Sequence, residues 1–168
     1  MDRLIRKMQQ NGVLLDTNLL ILLVVGLVDP RLIEKHKKLK IYSKEDFNLL
    51  MGILETCRRL IVTPHILAET SNLAVHGMYD DFEIRTFLAL KGLTLSEKFS
   101  EAHESMKNIT DHDGFVKFGV SDIGLLQVLN NEFVLLTDDW KLSGYAEDKG
   151  YDVLNYKTIQ YMIAQYLV

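Results

Sequence analysis

Short blocks of apolar residues recur along the chain, each closed by a polar turn signal and followed by a segment of helical spacing. Val13 to Leu15 follows the Asn11-Gly12 turn signal and stops at Asp16, the form expected of a strand covered on both faces. Leu19 to Val28 is apolar throughout and predicts a buried helix, with Thr17 or Asn18 as its cap and Asp29-Pro30 as its stop. Ser43 and Asp46 have capping-box spacing, and Phe47, Leu50, Met51, Leu54 and Arg58 continue at the three-four spacing of an amphipathic helix, into which Cys57 packs. Leu60 to Val62 predicts a second buried strand, and Thr63-Pro64 starts a helix because proline at the first helical position sacrifices no amide donor. After a polar turn near Gly77 to Asp81, the pattern predicts a helix through Phe82, Arg85 and Leu88, an extended piece at Leu93 to Leu95 and a helix around Glu97 to Lys107. A turn at Asp111 to Gly114 precedes a helix over Ser121 to Asn130, a strand over Phe133 to Leu136 ending in Thr137-Asp138-Asp139, and a last strand at Tyr151 to Leu154. The final helix carries Ile159, Met162, Ile163 and Tyr166 on one face, which predicts packing on the domain or on a partner.

Strands alternating with helices predict an α/β fold, a three-layer α/β/α arrangement around a mainly parallel central sheet, over a single domain spanning residues 1–168. The length of 168 residues, 48% apolar and 25% charged, is that of an ordinary globular chain with a sizeable core. Arg3, Arg6 and Lys7 ahead of the apolar run imitate a secretion signal. Asp16 and Asn18 at the mouth of the run and the absence of a small-residue cleavage site after it argue against one. The run is also short of the roughly 20 residues a membrane span needs. One cysteine precludes an internal disulfide, so a cytoplasmic setting is expected. With 19 Lys and Arg against 23 Asp and Glu, the net charge of −4 provides no global field for nucleic acid, and any such contact must be local. The one strongly basic stretch is residues 31–44, with Arg31, Lys35, Lys37, Lys38, Lys40 and Lys44.

In parallel α/β sheets sites form at the carboxyl ends of strands. That rule selects Asp16 after the first strand and Thr137, Asp138 and Asp139 after the fourth. Asp122, in the first turn of its helix, and Glu69, in the helix after the second strand, are two further acids that can join them. Gathered carboxylates repel one another unless protons or cations neutralise them. All these donors are oxygen, with no nearby cysteine, which favours Mg²⁺ or Mn²⁺ over zinc. Such ions activate water and stabilise phosphoryl charge, the chemistry of a nuclease.

The segments Val13-Leu14-Leu15-Asp16-Thr17-Asn18, Thr63-Pro64-His65-Ile66-Leu67-Ala68-Glu69, Ser121-Asp122 and Leu135-Leu136-Thr137-Asp138-Asp139-Trp140 stand in this order over most of the chain. In them the sequence resembles the PIN-domain family of metal-dependent nucleases, which includes the toxin arm of many toxin–antitoxin pairs. The resemblance implies that Asp16, Glu69, Asp122 and Asp139 are the catalytic acids and, with Asp138 assisting, the ligands of Mg²⁺ or Mn²⁺. It implies a ribonuclease whose metal-bound water hydrolyses RNA to leave a 5′-phosphate, with Asn18 orienting Asp16 or the phosphate and Thr137 assisting. An antitoxin-like protein and a homodimer are the further partners it suggests. The interval between Asp16 and Glu69 is longer than in the compact toxins and holds the basic segment, whose Lys35, Lys37, Lys38 and Lys40 are candidate RNA-phosphate contacts.

Each of these residues also has an ordinary structural role open to it. Asp16 can cap the helix that follows, Glu69 can be a solvated helix residue, Asp122 can be a favourable acid at a helix start, and Asp138 can bond turn amides. The lysines can form a solvated face. Trp140 can pack against the sheet end rather than stack on a base. His65 and Glu69 have the spacing of a zinc pair, but without further ligands an exposed histidine is expected. A PIN-like module that binds RNA or a protein without cutting is the alternative function. A phosphatase using Asp16 as nucleophile is disfavoured, because Asn18 stands where its second Asp belongs.

Overall fold

The structure is a computed structural model that describes residues 2–76 and 80–166. Five strands form one parallel sheet: β1 (Val13–Leu15), β2 (Leu60–Val62), β3 (Phe99–Glu101), β4 (Val134–Thr137) and β5 (Val153–Asn155). Their order across the sheet is β3-β2-β1-β4-β5. Helices fill every connection, as parallel pairing requires. They are α1 (Asp2–Gln10), α2 (Thr17–Val28), α3 (Lys44–Thr56), α4 (Pro64–Ala74), α5 (Asp80–Thr94), α6 (Met106–Asp111), α7 (Phe115–Leu129), α8 (Trp140–Asp148) and α9 (Tyr156–Tyr166). The predicted α/β fold with a parallel central sheet is therefore the one observed. No helix among the described residues is long and apolar enough to cross a membrane.

The chain leaves β1 toward β2 on one side and later returns to place β4 on the other side. Strand order thus reverses beside β1, and the crevice at the carboxyl ends of β1 and β4 is the switch point where α/β sheets bind ligands. β1, β2, β4 and β5 are buried along their whole length, so their apolar runs need no alternation. α2 is apolar on all sides because it is enclosed, packing against α3, α4 and α5. A Cβ added at Gly26 would lie 2.1 Å from Cδ2 of Phe47, so glycine there lets α3 approach α2 closely. Gly26→Ala gains helix propensity of up to about 1 kcal/mol but overpacks a ring in the core, at about 1–3 kcal/mol. The expected outcome is a lower urea midpoint, and a midpoint at or above wild type would show that Phe47 yields freely.

Several local expectations are corrected. The cap of α2 is Asp16 rather than Thr17 or Asn18, since its Oδ1 accepts the Leu19 amide at 2.9 Å. α5 runs through Leu93 to Thr94, so no extended piece forms there. The third strand instead is Phe99–Glu101, in the region expected to be helical around Glu97 to Lys107. An edge strand with half-exposed side chains lacks the apolar run that marks its buried neighbours. α7 begins at Phe115, but Gly119 (φ 76°, ψ −168°) breaks it, so regular helix resumes close to the predicted start at Ser121. α1 and α8 were not foreseen. Arg3 and Lys7 of α1 both pair with Asp152, and Met8 is buried, which turns the basic N-terminal residues into a docked helix. On α9, Ile159 packs against the core while Met162 and Ile163 remain 40% and 38% exposed, so the expected packed face is only partly covered. Trp140 is 59% exposed rather than packed on the sheet end. His65 is half-buried rather than exposed and lies beside Gly124 of α7. Residues 77–79 of the turn expected near Gly77 to Asp81 lie outside the described residues.

Candidate functional site

Asp16, Glu69, Asp122 and Asp139 line one pocket of about 160 Å³, together with Thr17, Asn18 and Leu142. Four separate elements deliver them. Asp16 closes β1, Glu69 lies on α4, Asp122 lies just beyond the Gly119 break of α7, and Asp139 precedes α8. Among the described residues no lysine or arginine lines this pocket.

Both oxygens of Asp16 are used. Oδ1 caps α2, while Oδ2 accepts the Thr137 hydroxyl and the Asp138 amide, the latter at 3.1 Å. Burial, then the charge of Asp138, pushes the Asp16 carboxyl well above the usual range, against the hydrogen bonds that favour its charged form. The capping role therefore coexists with a place in the pocket wall. Glu69 Oε2 accepts the Thr17 hydroxyl at 2.8 Å. Asp122 is half-buried without a hydrogen-bonding partner among the described residues, and burial followed by the charges of Asp139 and Glu69 pushes it up to about 6. Asp139 is exposed, and its Oδ1 caps α8 by accepting the Lys141 amide at 2.6 Å and the Leu142 amide at 3.2 Å. Thr137 links the two strand ends, since its hydroxyl donates to Asp16 and accepts the Asp139 amide at 3.0 Å.

Asp138 lies behind the pocket rather than in its lining. It is buried, with Oδ1 accepting Asn18 Nδ2 at 3.0 Å, Oδ2 accepting the Tyr42 hydroxyl, and Lys157 Nζ at 3.8 Å. Of the two partners expected for Asn18, Asp16 or the phosphate, the carboxylate it orients is that of Asp138 rather than Asp16. Tyr42 and Lys157 were missed by sequence reasoning. Tyr42 is hidden inside the basic segment, whereas Lys157 lies two residues beyond the end of β5 and was findable by the same strand-end rule that selected Asp16. Tyr42→Phe removes a hydrogen bond to a buried carboxylate, and a loss of about 1.5–3 kcal/mol in urea denaturation is expected. Unchanged stability would mean that Lys157 and Asn18 suffice.

Lys35, Lys37, Lys38 and Lys40, the candidate RNA-phosphate contacts, are exposed and none is among the residues lining the pocket. Their loop is held by His36, whose Nε2 meets the Ala74 carbonyl at 2.9 Å while Nδ1 accepts the Lys38 amide at 3.3 Å. This pairing makes Nε2 the protonated nitrogen, and burial lowers the pKa of the ring below its usual value.

The carboxylates ring the pocket without converging: among the described residues no three His, Cys, Asp or Glu side chains are placed to hold a metal ion. The chemistry of the set nonetheless suits a hard divalent cation, because all donors are oxygen, no basic side chain offsets them, and Asp122 carries repulsion that a cation would relieve. Neither protein-family models nor curated proteins nor solved structures provide a match to this chain.

Proposed function

We propose that the protein is a Mg²⁺- or Mn²⁺-dependent ribonuclease of PIN-like type that hydrolyses phosphodiester bonds at the acidic pocket. The observation that carries this reading is the gathering of Asp16, Glu69, Asp122 and Asp139, from four elements, around a pocket with no basic lining. A divalent cation bound there supplies an activated water and neutralises charge on the phosphoryl group. The chain's own residues contribute orientation. Asp16 is fixed by the Leu19 amide and Thr137, Glu69 by Thr17, and Asp139 by the first turn of α8. Asp122, its carboxyl pushed up to about 6 by burial and the charges of Asp139 and Glu69, would be a ligand whose charged form a bound cation favours. Hydrolysis adds water across the bond between phosphorus and the 3′ oxygen, leaving a 5′-phosphate and a 3′-hydroxyl.

A second reading, a PIN-like module that binds RNA or protein without cutting, is favoured by one observation: Asp16, Asp138 and Asp139 already satisfy donors of the fold itself. End-group analysis of RNA incubated with Mn²⁺ separates the two. Fragments with 5′-phosphate ends that vanish in EDTA support hydrolysis at the pocket. Cyclic 2′,3′-phosphate ends would overturn it, and RNA bound but uncut would favour the second reading.

A further inference from the structure

Outside the acidic pocket, the contact between α7 and α8 gathers a group of aromatic and cationic side chains that the reading above does not use. Phe118 and Tyr145 have ring centroids 4.9 Å apart at 46°, and His112 stands edge-on to Tyr145 at 6.3 Å. Lys117 Nζ lies 4.8 Å from the centroid of Phe118 and 5.9 Å from that of Tyr145, and Lys149 Nζ lies 5.5 Å from that of Tyr145. Both lysines are exposed, and neither takes part in an ion pair among the described residues. The three rings are half-buried.

Position gives this group its meaning. Leu142 lines the acidic pocket, and Tyr145 follows three residues later on the same face of α8, about 5 Å further along the helix. Asp122 lines the pocket from α7, and Phe118 precedes it by four residues across the Gly119 break. The two helices that carry Phe118 and Tyr145 are thus the same two that bring Asp122 and Leu142 to the pocket. The acidic pocket itself repels phosphates, and the net charge of −4 gives no compensating field, so a polyanion entering it needs cations close by.

Resting on the ribonuclease reading, we propose that Phe118, Tyr145, Lys117 and Lys149 form a subsite for single-stranded RNA beside the acidic pocket. Bases stack on the two rings while the lysines, lifted from the ring faces, pair with the flanking phosphates. Stacking on aromatic side chains is sequence-tolerant, because every base has a π face, and a lysine on a flexible stem suits a phosphate as a point charge. The subsite thus selects unpaired RNA over duplex, whose bases are not free to stack.

The test is the affinity of a fluorescein-labelled oligouridylate decamer, measured in EDTA by anisotropy over a range of salt. Wild type binds, and Asp16→Asn binds at least as well. Tyr145→Leu weakens binding about 5-fold or more, the range of base stacking. Lys117→Ala with Lys149→Ala, both exposed and safe for folding, lowers the salt slope of log Kd by about 1.4, two phosphates at about 0.7 each. No binding by wild type, or variants that match wild type in affinity and slope, would overturn the subsite. Binding without any cutting in Mn²⁺ leaves the subsite standing and removes the nuclease. Cutting with KM unchanged in the lysine variant removes the subsite and leaves the nuclease.

Discussion

Asp16→Asn is expected to lose RNA cleavage by about a hundredfold or more while keeping a stability within about 1 kcal/mol of wild type. Replacing residues that merely support metal ligands costs about 10- to 100-fold, so losing a ligand should cost at least the upper end. The structure explains why the fold should survive. The Asn oxygen can still accept the Leu19 amide and cap α2. On the other side the amide group faces the Thr137 hydroxyl, which can turn to accept, and the Asp138 amide, which loses its acceptor. Against that lost bond stands relief from burying a carboxylate beside Asp138, the two causes that hold the Asp16 carboxyl above its usual range. Initial rates at saturating Mn²⁺ together with urea denaturation separate the two effects. A variant that cuts at the wild-type rate would remove Asp16 from the chemistry, and one that unfolds would show that its role is to join β1, α2 and β4.

The second large effect concerns stability without metal. Asp16 and Asp122 both have carboxyl groups raised above the ordinary value in the folded state, Asp122 to about 6. Groups shifted upward stabilise the fold fully below their unfolded value near 4, and that stabilisation is lost as pH rises through the folded value. The metal-free protein should therefore weaken between about pH 4 and pH 7, with Asp122 contributing up to about 3 kcal/mol at 1.36 kcal/mol per pH unit. Mn²⁺ should reverse the trend at pH 7.5, because a ligand at a hundred times its Kd adds about 2.7 kcal/mol. For a chain of this size that is a rise in Tm of about 5–10 °C. Asp122→Asn should flatten the pH dependence and remove most of the Mn²⁺ effect. A melting temperature that stays level from pH 4 to pH 7 and ignores Mn²⁺ would contradict a strained acidic pocket.

The architecture was legible because its central strands are buried on both faces. Val13–Leu15, Leu60–Val62 and the first three residues of Val134–Thr137 are continuous apolar runs, and each is followed by a polar helix-start signal in the chain. The caps at Ser43 and Thr63 were equally plain. β3 was not, since an edge strand of Phe99-Ser100-Glu101 shows neither an apolar run nor a buried alternation. α1 was missed because long-range contacts stabilise it, Asp152 holding Arg3 and Lys7, whereas α8 was missed although its cap is local, Asp139 accepting the amides of Lys141 and Leu142.

At the candidate site the strand-end rule selected Asp16 and Asp139, and helix position added Glu69 and Asp122; these four line one pocket, whereas Thr137 and Asp138, selected by the same rule, do not. What the sequence could not reveal is how much of their hydrogen-bonding capacity the fold consumes. Asp138 resembles its neighbours in the sequence, yet Tyr42, some 96 positions away in the chain, and Asn18 draw it out of the pocket. The anchoring of the basic segment was hidden in the same way. Its lysines are prominent in the sequence, whereas its anchors are the uncharged His36 and Tyr42. The aromatic group at Phe118 and Tyr145 was invisible because it is assembled across two helices, one of them unforeseen.

That the four pocket carboxylates hold a divalent cation is tested most directly by titrating the purified protein with Mn²⁺ at pH 7.5 and following free Mn²⁺ by electron paramagnetic resonance. A metal centre at this pocket requires saturable binding in wild type and at least tenfold weaker binding in both Asp16→Asn and Asp122→Asn. Wild-type protein that leaves Mn²⁺ free, or variants that bind it as tightly as wild type, would contradict the metal centre and the hydrolysis built on it.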